Sequence, residues 1–246
     1  MILGIMRLHD FDESPYFEAA IDRLSEQCDE VAFIFHSLQG DKILRHLCGV
    51  KNIVRSETYD GEWSQAGTLD ACMRIADRFK PEILIMPDAD EMLPEMDVLA
   101  PYIDEWREVW DVRPTMSFRM LQAYGDAEHV LAENVAFVNW HCKIIKWEPG
   151  ISYLDGYAGW CWPSQLYRRK KFRCPYPLLH LPYITEEMRQ KRLARPHTTT
   201  RGQWAWWERE RRTMPYDPHM TFDEWEAIVG PRVTQEEGDD ENDQRP

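Results

Sequence analysis

The chain has 246 residues, 43% apolar and 29% charged, with a formal net charge of −14. That is enough apolar material for one large α/β domain or a domain with an appendage, and its longest apolar runs are too short for a membrane-spanning helix. The N-terminus has neither the basic flank nor the apolar stretch of a signal peptide, so a cytoplasmic location is expected, and the six cysteines, with no Cys-x-x-Cys pair, read as reduced buried thiols rather than a zinc or redox site.

Residues 2–6 read as a first strand, and 15–27 as an amphipathic helix with Phe17, Ala20, Ile21 and Leu24 inward. A second strand over 31–35, a short helix over 42–47 and a third strand over 52–55 follow. The helix predicted over 68–78 carries Leu69, Cys72, Met73 and Ala76 at helical spacing. Strand four is 83–86. This alternation predicts right-handed crossovers and a mainly parallel sheet with helices on both faces. Beyond it the pattern loosens: a helix lies within 94–109, short strands fall at 116–121 and 142–146, and another apolar run ends in Leu178-Leu179-His180. After Pro182, Thr185 caps a polar helix. There is no internal repeat and no Gly-rich phosphate loop, which argues against P-loop and dinucleotide-binding proteins.

Strand four runs into Pro87-Asp88-Ala89-Asp90-Glu91, three carboxylates within four residues. Ligands of open α/β sheets gather at the carboxyl ends of strands. If the chain stays extended through Ala89, Asp88 and Asp90 face the same side and can converge on one hard divalent cation. Acids after a strand also form ordinary turns. The Thr or Val of a haloacid-type phosphatase and the Gly and distal Glu of an EF-hand loop are both missing.

Charge is unevenly distributed. Residues 1–167 hold 14 basic and 29 acidic side chains, 168–212 hold 13 and 4, and 213–246 hold 2 and 10. The basic island, which includes Trp204, Trp206 and Trp207, suits phosphate-rich or planar ligands, or else solvates a helix. The sequence divides into an α/β domain over 1–182, a basic, Trp-rich helical extension over 183–234 packed on it, and a disordered acidic tail over 235–246.

The polar stretch Arg7-Leu8-His9-Asp10-Phe11-Asp12-Glu13-Ser14, the loop and helix start at Trp63-Ser64-Gln65-Ala66-Gly67-Thr68-Leu69, and Asp88-Ala89-Asp90-Glu91 together resemble the GT-A glycosyltransferases, family 2 in particular. The resemblance is good over about the first 95 residues. Beyond them it rests on 143–153, 178–180 and 186–192. It implies a GT-A type, mainly parallel nucleotide-diphospho-sugar transferase sheet flanked by helices, with an irregular α-rich C-terminal part, and makes the domain over 1–182 the catalytic one. It implies Mn²⁺ or Mg²⁺ held by Asp88, Asp90 and His180, with His141 the competing histidine. Donor-binding positions would be Arg7, His36, Asp60, Gln65, Asp88, Arg189 and Arg192, with Arg195 near the phosphates. Where the family grips uracil with an Asp, this chain has His36 or Ser37, and Asp60 or Glu62 would substitute. The loop that should carry the catalytic acid, 156–160, has none; Asp155 is the nearest carboxylate and Glu148 the next.

The expected activity is transfer of a sugar from a nucleotide-diphosphate sugar, with inversion, to a saccharide, protein or lipid-linked acceptor, with modified nucleic acid as the alternative acceptor. Competing readings are a GT-A-like nucleotidyltransferase and a non-catalytic carbohydrate- or nucleic-acid-binding protein.

Overall fold

Apolar residues two apart and three to four apart sort the first 85 positions into strands and helices by turns. The computed structural model describes residues 1–8, 16–36, 41–59, 65–132, 140–154, 159–161, 171–181 and 212–230. Its first half runs β1 (Ile2–Leu8), α1 (Phe17–Gln27), β2 (Glu30–His36), α2 (Asp41–Leu47), β3 (Ile53–Tyr59), α3 (Gln65–Phe79) and β4 (Ile83–Ile85). Then come β5 (Glu91–Met92), α4 (Met96–Arg107), β6 (Thr115–Phe118), β7 (Met120–Gln122), β8 (His129–Leu131), β9 (His141–Lys146) and β10 (Ser152–Leu154). The last elements are β11 (Gly159–Cys161), β12 (Lys171–Arg173), β13 (Leu178–His180), β14 (Thr213–Pro215) and α5 (Phe222–Val229).

Seven strands form the main sheet in the order β12-β6-β9-β4-β1-β2-β3. All neighbours pair in parallel except at β9, which is antiparallel to both β4 and β6. This is the mainly parallel α/β sheet that the alternation predicts. One face buries Met6, Phe33, Ile85, Met116 and Ile144 under Phe17, Ile21 and Leu24 of α1 and Leu99, Ile103 and Trp106 of α4. The other buries Leu3, Ile5, Ile34, Leu84 and Ile145 under Cys72, Met73, Ile75 and Ala76 of α3. At Gly4 the helix comes so close that a Cβ would lie 2.7 Å from Cys28 Sγ and 2.9 Å from Leu24. Only glycine permits that approach.

Two elements differ from expectation. The strand predicted over 116–121 breaks at Arg119, so that β6 belongs to the main sheet and β7 to a second sheet, β5-β13-β7. The Arg119 carbonyl accepts from Leu178 N–H at 2.8 Å, and its guanidinium turns out to Phe222 and Trp140; the chain changes sheets at the residue whose charge cannot enter the core. The third strand runs to Tyr59, beyond the predicted 52–55, because β3 is the sheet edge, where exposed Arg55, Ser56 and Thr58 are tolerated.

A third core joins Leu121, Val130, Leu179 and Leu181 to Phe222 and Trp225 of α5, a helix opened by a reciprocal Thr221–Glu224 capping box. The helix predicted after Thr185 and the tail over 235–246 lie outside the described residues. Cys28, Cys48, Cys72, Cys142 and Cys174 are free thiols, and burial pushes Cys72 and Cys174 up to about 12. No helix among the described residues is long and apolar enough to cross a membrane.

Candidate functional site

Because β1, β4, β6 and β12 run the same way and β9 runs against them, the C-terminal ends of the four and the start of β9 share one edge of the sheet. Asp88 follows β4 there and makes a parallel bridge to Arg7 at the end of β1. The chain does not stay extended through Ala89. Glu91 N–H donates to the Asp88 carbonyl at 3.0 Å, closing a turn, and the turn sends the two aspartates to different partners.

Asp88 is held by two cations. The Arg7 guanidinium donates to Oδ1 and, at 3.1 Å, to the hydroxyl of Thr68 on α3. Lys143 Nζ donates to Oδ2 at 3.0 Å and pairs with Glu91 Oε2 at 2.6 Å, while Asp88 N–H donates to the same Glu91 oxygen at 2.7 Å. Burial pushes the Asp88 carboxyl up, but Arg7 and Lys143 together outweigh it and hold the group well below the usual carboxylate range. Glu91, only 3% exposed, goes the other way: burial raises it beyond what Lys143 can offset. Lys143 is itself raised, since its two carboxylates outweigh its desolvation.

A bulge falls at that lysine. On β9, Ile144 pairs with Met116 and Cys142 with Ser117, leaving Lys143 without a partner on β6. The extra residue interrupts the alternation of β9 at the site edge, where the buried Lys143 reaches Asp88 and Glu91.

Asp90 faces His180. His180 lies opposite Glu91 in the β13–β5 pair, and Leu181 N–H donates to the Asp90 carbonyl at 2.7 Å. His180 Nδ1 donates to Gln122 Oε1 at 2.8 Å, and Nε2 stands 3.5 Å from Asp90 Oδ2. A histidine fixed through one ring nitrogen with the other turned to a carboxylate can pair with that carboxylate or hold a metal with an outer partner, and the carboxylate–imidazole donor set could take Mn²⁺. Asp88, with both oxygens engaged, borders this pair rather than completing a trio. Among the described residues, the trio of His and acid side chains with ligand atoms within 4.8 Å of one another is Glu95, Asp97 and His219, and there Glu95 is already paired with Arg23 at 3.0 Å.

The structure therefore gathers Arg7, Asp88, Asp90 and His180 at one edge. His141, at the start of β9, shares it; burial, with Lys143 and His180, lowers its pKa to about 4. The backbone sets His36 at the end of β2 and Gln65 at the start of α3. Asp60, Glu62, Asp155, Arg189, Arg192 and Arg195 lie outside the described residues. Glu148 is removed from the site: it follows the far end of β9, at the opposite edge of the sheet, and pairs with Lys146 at 3.5 Å. Sequence reasoning missed Lys143, Glu91, Thr68 and Gln122 as site residues. The signal for Lys143 was present, a lone charge between Cys142 and Ile144-Ile145.

No family model and no curated protein sequence matches the chain. Among solved structures, glucosyl-3-phosphoglycerate synthase from Mycobacterium tuberculosis, in complex with Mn²⁺, UDP and phosphoglyceric acid, is similar over 50% of this chain and 43% of its own, at 13% identity and a TM-score of 0.35. S. aureus TarS 1–349 is similar over 59% and 46%, at 15% identity and a TM-score of 0.37. The 4-diphosphocytidyl-2C-methyl-D-erythritol synthase of Anaerococcus prevotii is similar over 93% of both chains, at 13% identity and a TM-score of 0.38. These neighbours are GT-A-type nucleotide-diphospho-sugar transferases. The chain spans less than half the length of the first two.

Proposed function

We propose that this chain is a metal-dependent glycosyltransferase that moves a sugar from a nucleotide-diphosphate donor to an acceptor hydroxyl. The observation that carries the reading is the Asp90–His180 pair, oxygen to nitrogen 3.5 Å apart, with the imidazole fixed by Gln122 at the carboxyl edge of the sheet. Asp90 and His180 would hold Mn²⁺ or Mg²⁺, which when bound supplies Lewis-acid stabilisation of the charge on the leaving diphosphate. Arg7 and Lys143 keep Asp88 ionised and oriented beside that pair, where its partly exposed carboxylate accepts a hydrogen bond from the donor. His36, Asp60 and Gln65 are proposed for the nucleoside and Arg189 and Arg192 for the phosphates. Asp155 is proposed to take the acceptor proton, giving inversion. The acceptor is read as a saccharide, protein or lipid-linked group, and the location as cytoplasmic.

A panel of nucleotide-sugars, with and without Mn²⁺, tests this by thermal shift. One donor should raise the melting temperature only with metal, and Asp90→Asn should abolish that shift and lower transfer or donor hydrolysis by about a thousandfold with the fold intact. Activity within a few-fold of wild type would remove the metal role of Asp90. The buried ammonium of Lys143 beside the site also fits nucleotidyl transfer, where cations stabilise charge at the α-phosphate. Product analysis separates the two, since sugar transfer releases a nucleoside diphosphate and nucleotidyl transfer releases pyrophosphate.

A further inference from the structure

The geometry points to a second subsite on the same edge, in which Arg173 and Lys171, with the Trp140 indole, bind the phosphate group of a small acceptor. The word acceptor rests on the transferase reading above; the phosphate site does not.

Its position follows from the sheet. On β12 Arg173 is in register with Ser117 of β6, which is in register with Cys142 of β9. Met86 N–H bonds to the neighbouring Lys143 carbonyl at 2.8 Å. Arg173 therefore stands level with the end of β4, where Asp88 begins, and three strand spacings away, about 14 Å. Phe172 is buried with Met116 and Ile144 on the α1 and α4 face, so alternation sends exposed Lys171 and Arg173 to the opposite face. That is the face on which Leu3 and Ile5 pack with α3 and on which Arg7 continues the series to Thr68 and Asp88. The two bases share both an edge and a face with Arg7 and Asp88.

Their state separates them from the other charges nearby. Two guanidiniums approach the Trp140 ring, Arg119 at 5.0 Å and Arg173 at 5.1 Å. Arg119 is engaged further, lying 4.6 Å from the Phe222 ring and pairing with Asp223 at 3.5 Å and Glu226 at 3.9 Å. Arg173 and Lys171 have no ion pair among the described residues. A guanidinium with one face on an indole keeps its in-plane N–H donors for a bidentate oxyanion. Lys171 adds a second positive charge two residues back, within the run Arg168-Arg169-Lys170-Lys171-Phe172-Arg173, which favours a doubly charged phosphate over a carboxylate. With about 14 Å of sheet between Arg173 and the end of β4, a phosphate at Arg173 is separate from a diphosphate held at Asp90 and His180.

The full-length, metal-free protein, titrated with glycerol 3-phosphate and with glycerol as the neutral control, reads the site through the Trp140 indole N–H signal, assigned by its loss in Trp140→Phe. The expected result is a saturable shift with the phosphate alone, and a Kd at least tenfold weaker in the double variant Arg173→Gln, Lys171→Gln, both exposed positions that leave the core intact. A Kd within twofold of wild type in that variant, or an equal shift with glycerol, overturns the site. A twenty-nucleotide oligothymidylate that binds more tightly than glycerol 3-phosphate, with affinity falling steeply with salt and lost in the same variant, overturns the small acceptor in favour of nucleic acid. Metal-dependent stabilisation by a nucleotide-sugar, measured on the same two proteins, keeps the readings apart. Its presence in both with phosphate binding unaffected by the substitutions condemns only the subsite, whereas its absence from wild type with phosphate binding intact condemns only the acceptor role.

Discussion

Lys143 carries more of the site than its place in an apolar strand suggests, because it neutralises two carboxylates at once, Asp88 at 3.0 Å and Glu91 at 2.6 Å. Lys143→Met should destabilise the protein by about 3–5 kcal/mol at pH 7, the cost of a buried charge left without its partner. Glu91 already sits above its ordinary value and rises further without the ammonium. The folded variant then takes up a proton that the unfolded chain does not hold, so the deficit should shrink as the pH falls from 7 toward about 5. Urea unfolding at both pH values checks this, and adding Glu91→Gln should restore much of the loss at pH 7; a pH-independent deficit would contradict the pairing. His141 has the opposite dependence. Its folded pKa, about 4, lies below the ordinary 6.5, so between those values the unfolded chain binds the extra proton. The contribution is complete above pH 6.5 and is lost as the pH falls toward 4, worth about 2 kcal/mol when discounted for the ring's partial exposure. In metal-free protein His141→Phe should flatten that segment of the pH–stability curve, and an unchanged slope would show that the ring is not held neutral.

Close approaches and a bulge, more than residue propensities, decide how the elements meet. Gly4 lets α1 rest on β1, and Gly4→Ala would set a methyl 2.7 Å from Cys28 Sγ and 2.9 Å from two Leu24 carbons. Such overpacking should cost about 1–3 kcal/mol, read as a lower denaturation midpoint with unchanged m-value; a neutral result would mean that α1 moves away freely. The chain's alternation made β1 through β4 and their helices readable, because each needs only its own apolar periodicity. The break at Arg119 and the bulge at Lys143 were not readable. Both depend on which strand lies alongside, and pairing across long sequence separations leaves no local pattern.

For the whole molecule, donor and metal should act as one ligand. Binding to the native state alone stabilises it by RT ln(1 + [L]/Kd), about 2.7 kcal/mol at a hundredfold excess over Kd. If Asp90 and His180 hold the cation that binds the diphosphate, EDTA should return the melting temperature of donor-saturated protein to that of the free chain. A shift that survives chelation would place donor binding elsewhere. The sequence by itself determined the layered α/β class and the strand that ends in Asp88-Ala89-Asp90-Glu91, since apolar runs and charge breaks are local and record where a strand leaves the core; the preference for His180 over His141 came from the family resemblance. Only the tertiary structure decided that Asp88 belongs to Arg7 and Lys143 while Asp90 belongs to His180, and that Glu148 stands at the far edge. Those outcomes turn on a β-turn at Ala89 and Asp90 and on the antiparallel course of β9. Each is a matter of how distant segments pack, and packing is a property of the folded chain alone.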